Sequence, residues 1–118
     1  MVLLGFQKQF AADVEALVKR QTIRAPRKDG RDPKVGDRLQ LYTGLRTKAC
    51  RKLVANDPIV KSVQPIVVSR FGLVIDRKPV TDADTVARAD GFEDFEAMAN
   101  WFKLTHDDDF FHGLLIKW

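Results

Sequence analysis

The sequence is poor in cysteine and in long apolar runs, and each shortage excludes a class of protein. Cys50 is the only cysteine among 118 residues, so no disulfide can form within the chain. The stretch Met1 to Phe6 is too short for the apolar centre of a signal peptide. No apolar run approaches the ~20 residues that cross a bilayer. We therefore expect a cytoplasmic protein that is not associated with a membrane.

Residues that commonly hold metals or phosphates are also few. His106 and His112 are the only histidines, and the three aspartates between them are typical of a solvated turn. The segment around Gly44 lacks the second glycine, followed by lysine and by serine or threonine, that a nucleoside-triphosphate-binding loop requires. Cys50 has no histidine near it in the sequence and is interpreted as a small buried side chain. The sequence predicts neither a metal nor a cofactor.

The rest of the composition is typical of one globular domain spanning residues 1–118. Hydrophobic residues make up 45% and charged residues 31% of the chain, a balance that supports a folded core. Alternating patterns predict strands, and three- and four-residue spacings predict helices. Because helices do not separate most of the strands, we expect an α+β fold, a mixed β-barrel flanked by helices.

Three helices and seven strands are expected from these patterns. The first helix follows Phe6 and places Phe10, Val14, Leu17 and Val18 on one face. A second helix begins at Thr81 or Asp82, and a third follows Gly91 and carries an aromatic face. Strands are predicted at 2–6, 21–24, 38–42, 47–54, 59–69, 71–75 and 112–118.

Charge is distributed unevenly along the chain. Residues 19–52 hold twelve basic and three acidic residues, a net charge of +9, whereas residues 76–109 hold four basic and ten acidic residues, a net charge of −6. Clustered cations raise the local concentration of phosphates, so the first segment favours an RNA or nucleotide ligand. The alternative interpretation is a solvated surface. Such a surface does not require Tyr42, Thr43 and Gly44 among the cations, whereas a nucleotide-binding surface can use them for stacking and hydrogen bonds. The cations predicted to bind nucleic acid are Arg24, Arg27, Lys28, Arg46, Arg51 and Lys52.

The first candidate cluster is formed by Lys19, Thr22 and Arg24. Thr22 and Arg24 lie two apart in a predicted strand and therefore share a side, and Lys19 precedes that strand. Arg24 is suited to phosphate, and Lys19 is a candidate base or nucleophile if burial lowers its pKa. An exposed strand with scattered cations is the alternative interpretation.

A second candidate segment runs from Tyr42 to Arg51, and Asp90 adds a carboxylate from the acidic half. Tyr42 offers a stacking face or a proton, and Lys48 offers proton transfer or phosphate stabilisation. Asp90 is a candidate partner for Lys19. The alternatives are a β-bulge at Gly44 and a helix-entry role for Asp90.

The order of four short motifs resembles the ASCH family, in particular its compact bacterial and phage members. The motifs are Gln21-Thr22-Ile23-Arg24, Val35-Gly36-Asp37, Leu41-Tyr42-Thr43-Gly44 and Asp90-Gly91-Phe92. The resemblance implies a PUA-like fold with a central cleft, and links the chain to RNA binding. It also implies that some small members remove the acetyl group from acetylated cytidine nucleosides with a lysine, a threonine and a glutamate. Lys19 and Thr22 stand at the lysine and threonine positions, and Asp90 stands at the glutamate position. Because aspartate is one methylene shorter than glutamate, its carboxylate would miss its partner by ~1 Å.

The sequence therefore supports three functional hypotheses. The leading hypothesis is an RNA-binding protein that holds a single-stranded segment on its basic face and cleaves it with Lys19, Thr22, Tyr42, Lys48 and Asp90. The alternative is an amidohydrolase for acetylated cytidine nucleosides that uses Lys19, Thr22 and Asp90. A third hypothesis is a regulatory protein that binds another protein through its acidic half. The oligomeric state is left open.

Overall fold

Two sheets and three helices make up the structure, a computed structural model that describes residues 1–118. The elements in chain order are β1 (Val2–Phe6), α1 (Lys8–Glu15), β2 (Gln21–Arg24), β3 (Leu39–Thr43), β4 (Arg51–Lys52), β5 (Ser62–Ser69), β6 (Gly72–Ile75), β7 (Lys78–Pro79), α2 (Ala83–Ala89), α3 (Phe95–His106) and β8 (Phe110–Lys117). The predicted α+β class is confirmed.

The strands form a small mixed sheet and a larger antiparallel one. In the small sheet the order is β1-β3-β4, with β1 parallel to β3 and Leu4 opposite Leu41. In the large sheet the order is β2-β8-β5-β6-β7, and Ile116 in β8 lies between Thr22 and Val63. The strand order gives two separate sheets in place of the expected mixed barrel, and they do not close into a barrel.

Two arginine side chains occupy the outer edge of β1, which no strand pairs. Arg24 donates to the carbonyl oxygen of Gly5 at 2.6 Å, and Arg27 donates to that of Leu3 at 2.9 Å. Carbonyls two residues apart in a strand point to the same edge, so both guanidinium groups meet the same row of acceptors. They satisfy an edge that would otherwise be open to another strand.

The hydrophobic side chains form two clusters that meet beside the candidate site. One cluster packs α1 against β1 and β3, and the other packs α2 and α3 against β5, β6 and β8. Phe92 and Trp101 pack against both clusters. The boundary between the clusters therefore passes through an aromatic group.

The first helix is shorter than the spacing of the apolar residues predicts. It ends at Glu15, and Leu17 has a positive φ of 62°, a conformation uncommon for a residue with a side chain. Leu17 and Val18 are 51% and 70% exposed, so their predicted burial is wrong. The backbone N–H groups of Val18 and Lys19 both donate to Asp13, which turns the chain so that Lys19 enters the interior.

The segment from Gly44 to Cys50 is a turn, and only Arg51–Lys52 of the predicted strand at 47–54 is a strand. The Thr47 hydroxyl donates to the carbonyl of Gly44 at 2.6 Å and accepts from the N–H of Ala49 at 3.1 Å. Such local bonds compete with strand pairing. Cys50 is exposed, so its predicted burial is wrong.

Asp94 is expected to stabilise the fold by capping α3. Its carboxylate accepts from the N–H of Ala97 at 2.8 Å, so Asp94→Ala should lower the free energy of unfolding by about 1 kcal/mol. Asp94→Asn should retain most of the stability, because asparagine caps almost as well. Urea unfolding measures both, with exposed Glu93→Ala as the control. Equal stability of Asp94→Ala and Glu93→Ala would contradict the assignment of the cap.

Candidate functional site

A cavity of about 260 Å³ lies where β1, α1, β2 and the aromatic side of α3 meet. Its polar wall contains an ammonium, a hydroxyl, a guanidinium and a carboxylate. These groups belong to Lys19, Thr22, Arg24 and Asp90. An aromatic wall adjoins it and contains Phe6, Phe10, Phe92, Trp101, Phe102 and His106. The cavity therefore combines charged chemistry with flat apolar surfaces.

Lys19 and Asp90 form a buried ion pair, although 71 positions separate them in the sequence. The Lys19 Nζ atom lies 3.1 Å from Asp90 Oδ1 and 2.6 Å from the Asp90 backbone oxygen. Both residues are almost fully buried, at 3% and 4% exposure. The shorter carboxylate thus reaches the lysine, and the expected shortfall of an aspartate at this position is not observed.

The turn after α2 holds Asp90 in place. The Asp90 N–H donates to the carbonyls of Val86 and Ala87, and Gln21 Nε2 donates to Asp90 Oδ1 at 3.4 Å. Gly91 follows with a φ of +98°, and a Cβ there would lie 2.9 Å from the ring of Phe10. Glycine is therefore required at this position by both the backbone conformation and the space. The bonds from Lys19 and Gln21 both reach Asp90 Oδ1, and no hydrogen bond from the protein reaches Asp90 Oδ2.

Burial shifts the two ionisable groups toward their neutral forms. It lowers the pKa of the Lys19 ammonium, although the Asp90 charge acts in the opposite direction. It raises the pKa of the Asp90 carboxyl, although Lys19 opposes that shift. Removing charges from water favours the neutral form of each group, and their mutual attraction favours the charged forms. Lys19 consequently loses its proton more readily than an exposed lysine does, so more of it is in the neutral form that can accept a proton.

Arg24 and Thr22 form a second pair on the same wall. Arg24 Nε donates to Thr22 Oγ1 at 2.9 Å, and the guanidinium carbon lies 4.8 Å from the centre of the Phe6 ring. With its bond to Gly5, the guanidinium is held on three sides. Two of its nitrogens are therefore occupied within the protein, which leaves less of Arg24 for the predicted contact with phosphate.

The aromatic wall is held by ring contacts between α1, α3 and the turn after Gly91. Phe10 lies edge-on to Phe92 and Trp101, with ring centres 5.4 and 5.9 Å away, and Phe92 lies 5.6 Å from Trp101. Such pairs favour fixed mutual angles, which keeps the wall in shape. Trp101 thus both packs against its neighbours and lines the cavity.

The structure brings together three of the five residues predicted to carry chemistry. Lys19, Thr22 and Asp90 line the cavity, whereas Tyr42 and Lys48 do not. Tyr42 is half-buried on β3 beside Lys52, and Lys48 is exposed in the turn at 44–50. The predicted convergence of all five residues is therefore wrong for these two.

The cations predicted to bind nucleic acid divide into two groups. Arg51 pairs with Glu15 at 2.8 Å, Lys52 pairs with Asp57 at 2.8 Å, and Arg27 donates to Leu3. Lys28 and Arg46 are exposed and have no hydrogen bond or ion pair through their side chains, as is also true of Lys48. The free positive charge of the segment is thus smaller than its residue count indicates.

A wider trough adjoins the cavity at Gly5, Phe6 and Gln7. It has a volume of about 830 Å³ and runs between α1 and the turn at 44–50. Lys8 lines it, and the ion pair of Arg51 with Glu15 lies along it. The trough is open, so it suits an extended group that continues out of the cavity.

Sequence reasoning missed Gln21 and most of the aromatic wall. Gln21 and Thr22 are neighbours in β2, so their side chains are expected on opposite faces of the strand. Gln21 is nevertheless only 5% exposed and hydrogen-bonds to Asp90. Its only signal was its place between Lys19 and Thr22. Phe92 and Phe102 were visible on the aromatic face of the predicted third helix, but such spacing is the same for a core and for a cavity wall.

No group of three or more His, Cys, Asp or Glu side chains is placed to hold a metal ion. None of the helices is both long and apolar enough to cross a membrane. Comparison with family models, curated proteins and solved structures finds no match.

We expect the Lys19–Asp90 pair to be a strong determinant of stability. Asp90→Asn leaves a buried ammonium without its counter-charge and should lower the free energy of unfolding by about 3 kcal/mol. Lys19→Met should lower it as well. The double variant should cost clearly less than the sum of the two single variants, because no unpaired charge remains.

Urea unfolding of the two single variants and the double variant measures this coupling. The exposed pair of Lys103 with Asp109 supplies the control, since an exposed pair contributes little. Strict additivity of Lys19→Met and Asp90→Asn would show that the two groups do not interact.

Proposed function

We propose that the protein is an ASCH domain of PUA-like fold that hydrolyses the amide of an acetylated cytidine nucleoside. The observation that carries the proposal is the meeting of Lys19, Thr22 and Asp90 on one cavity wall. These are the three positions that the resemblance to the ASCH family assigns to the amidohydrolases. The ribonuclease hypothesis receives less support, because it also needs Tyr42 and Lys48.

The size and lining of the cavity support a ligand of nucleoside dimensions. A volume of about 260 Å³ lies near the lower limit of ligand pockets, which begin at about 300 Å³. One nucleoside fits this range better than a stretch of several nucleotides. Phe10, Phe92 and Trp101 offer faces and edges for a base, and aromatic stacking is a common means of holding one.

The polar wall supplies the groups for water attack on an amide. Neutral Lys19 takes a proton from the attacking water as the oxygen bonds to the acyl carbon, and Asp90 stabilises the resulting ammonium. Thr22 stabilises the carbonyl oxygen as it gains negative charge. The ammonium then returns the proton to the amide nitrogen as the carbon–nitrogen bond breaks. The products are acetic acid and cytidine, with one water consumed.

Turnover of acetylated cytidine is the direct test of this function. The wild-type protein should release cytidine and acetate, and Lys19→Met should lower kcat at least about 100-fold, because the proton acceptor is lost. Lys78→Met is the matched control, since Lys78 is an exposed lysine of β7 outside the cavity. Chromatography of the nucleosides measures the reaction. Equal loss in both variants, or none in either, would contradict the role of Lys19.

The pH dependence of kcat/KM should identify the base. Activity needs unprotonated Lys19, so kcat/KM should rise with pH and level off above the pKa of Lys19, which burial places below its ordinary value. Asp90 raises that pKa, so Asp90→Asn should move the midpoint to lower pH. Asp109→Asn, at an exposed pair, should leave the midpoint in place. A midpoint that moves to higher pH in Asp90→Asn would rule out Lys19 as the base.

RNA binding is a second candidate function, and the open trough beside the cavity favours it. The trough continues from the cavity at Gly5, and Gly44, Leu45 and Ala49 of the turn at 44–50 line one side of it. The same turn carries the exposed and unpaired Arg46 and Lys48, which do not line the trough themselves. A single-stranded RNA could place one nucleotide in the cavity and its neighbours in the trough. Its backbone phosphates would then meet the free cations.

Binding of a short single-stranded RNA should then weaken with salt and with loss of these cations. Arg46→Ala and Lys48→Ala should each weaken binding and reduce its salt dependence, because each removes one phosphate contact. Lys78→Ala, an exposed lysine in the acidic half of the chain, is the control. Fluorescence anisotropy at several salt concentrations measures the affinity. Unchanged affinity in both variants of the turn would contradict this candidate.

A further inference from the structure

One end of the large sheet has an apolar face that no other element of the chain covers. Residues that lie opposite each other in an antiparallel pair point to the same side of the sheet. The register therefore places one set of side chains on the side away from α2 and α3, and we call this set the open face. Its members are Pro65, Val67, Val74, Pro79, Phe110 and His112. Phe71, in the turn between β5 and β6, adjoins the open face because its ring stacks on that of Phe110, with ring centres 6.2 Å apart.

The open face belongs to neither of the two hydrophobic clusters. Ile116, further along the same side of β8, is buried in the cluster that packs α1 against β1 and β3. Val67 and Val74 pack against neither cluster. An antiparallel sheet can leave one face in water, and the side chains of that face are then usually polar. Here only His112 is polar, so the open face has the composition of a buried surface.

Charged side chains lie only at the two ends of the open face, which itself contains no Lys, Arg, Asp or Glu. At one end are Arg70, in the turn between β5 and β6, and Asp108, whose carboxylate accepts from the N–H of Phe110. At the other end, the turn between β6 and β7 carries Asp76 and Arg77. None of these four charged groups forms an ion pair within the chain. Each end therefore presents one cation and one carboxylate that are free to pair.

These features fit a second copy of the chain better than a nucleic acid. A surface that binds nucleic acid needs cations along it to neutralise the phosphates, and the open face has none. Homodimer interfaces have an apolar centre that is poor in charge and a polar rim. A two-fold contact brings the same surface of both chains together, so a rim with both signs of charge is complementary to itself. Because each end of the open face carries both signs, opposite charges can meet whichever ends are brought together.

We propose that two copies of the chain associate by packing their open faces against each other. Phe71 and Phe110, which are 74% and 49% exposed, supply the large apolar side chains of the contact. The charges at the ends of one copy pair with the opposite charges of the other. No residue of the open face lines the cavity. The inference is therefore independent of the proposed function, and its test requires no turnover.

Sedimentation equilibrium of the full chain tests the dimer directly. The mass of the wild type should rise from 13.4 kDa towards twice that value as the protein concentration increases. Phe71→Ser combined with Phe110→Ser should weaken the dimer at least about 10-fold, because aromatic side chains commonly dominate the energy of an interface. Leu104→Ser is the matched control, since Leu104 is 84% exposed on α3, which packs on the other face of the sheet.

Three results would overturn the proposal. The first is a wild type that keeps the monomer mass up to about 1 mM, a concentration at which even weak specific association is measurable. The second is a dimer that the two phenylalanine substitutions leave intact, and the third is an equal loss in Leu104→Ser. Urea unfolding of each variant shows that the protein remains folded under the conditions of the measurement.

Complementary charge variants test whether the partner surface is the same surface of a second copy. Arg70→Glu with Arg77→Glu leaves only carboxylates at both ends, and Asp76→Asn with Asp108→Asn leaves only cations. Each variant alone should dimerise at least about 10-fold more weakly than the wild type, because the ends then carry like charges. An equimolar mixture should associate at least about 10-fold more tightly than either variant alone. A fluorescent label on exposed Cys50 of one variant makes the mixed dimer visible in sedimentation. A mixture that associates no more tightly than its components would contradict the pairing of like surfaces.

A nucleic acid on the open face gives a different result in the same instrument. A fluorescent single-stranded oligouridylate should sediment with the wild type and with Phe71→Ser combined with Phe110→Ser to the same extent, because the open face is not its site. If the two substitutions instead release the oligouridylate while the mass of the protein alone stays that of the monomer, the open face binds RNA and the proposed dimer is wrong.

Discussion

The buried contact between Lys19 and Asp90 is the constraint on which the site depends. An ammonium taken out of water needs a partner within hydrogen-bond reach, or it destabilises the fold by several kcal/mol. The end of α1 and the turn after α2 must therefore lie against each other. The positive φ of Leu17 and the glycine at position 91 meet this requirement, one by turning the chain inward and the other by leaving room for Phe10.

A second constraint comes from the two sheets, which meet without sharing hydrogen bonds between β1 and β2. Arg24 and Arg27 occupy the edge of β1 in place of a strand. A guanidinium group can donate in several directions at once, so Arg24 satisfies a carbonyl of one sheet and a hydroxyl of the other. The cavity lies beside this junction, and its polar wall is held by the same bonds that hold the sheets together.

The strands and helices could be predicted where local pattern and tertiary packing agree. The bounds of β1 and β2 match the expected ranges, and α2 begins after Asp82 as its capping pattern indicates. Prediction was wrong at 47–54, because the Thr47 hydroxyl makes turn bonds that a periodicity argument does not include. It was also wrong at Leu17 and Val18, where the spacing continues the helix but the burial of Lys19 ends it.

The sequence by itself determined that a lysine, a threonine and an arginine lie close together at the start of a strand. Alternation within a strand is a local property, so the shared side of Thr22 and Arg24 needs no knowledge of the fold. Only the tertiary structure decided that Asp90 completes the cluster and that Tyr42 and Lys48 lie outside it. The pairing of β2 with β8 and the packing of α2 determine those distances, and such long-range contacts leave no periodic signal in the chain. The charge of residues 19–52 was likewise readable from composition, whereas the pairing of Arg51 and Lys52 with distant carboxylates depended on the fold.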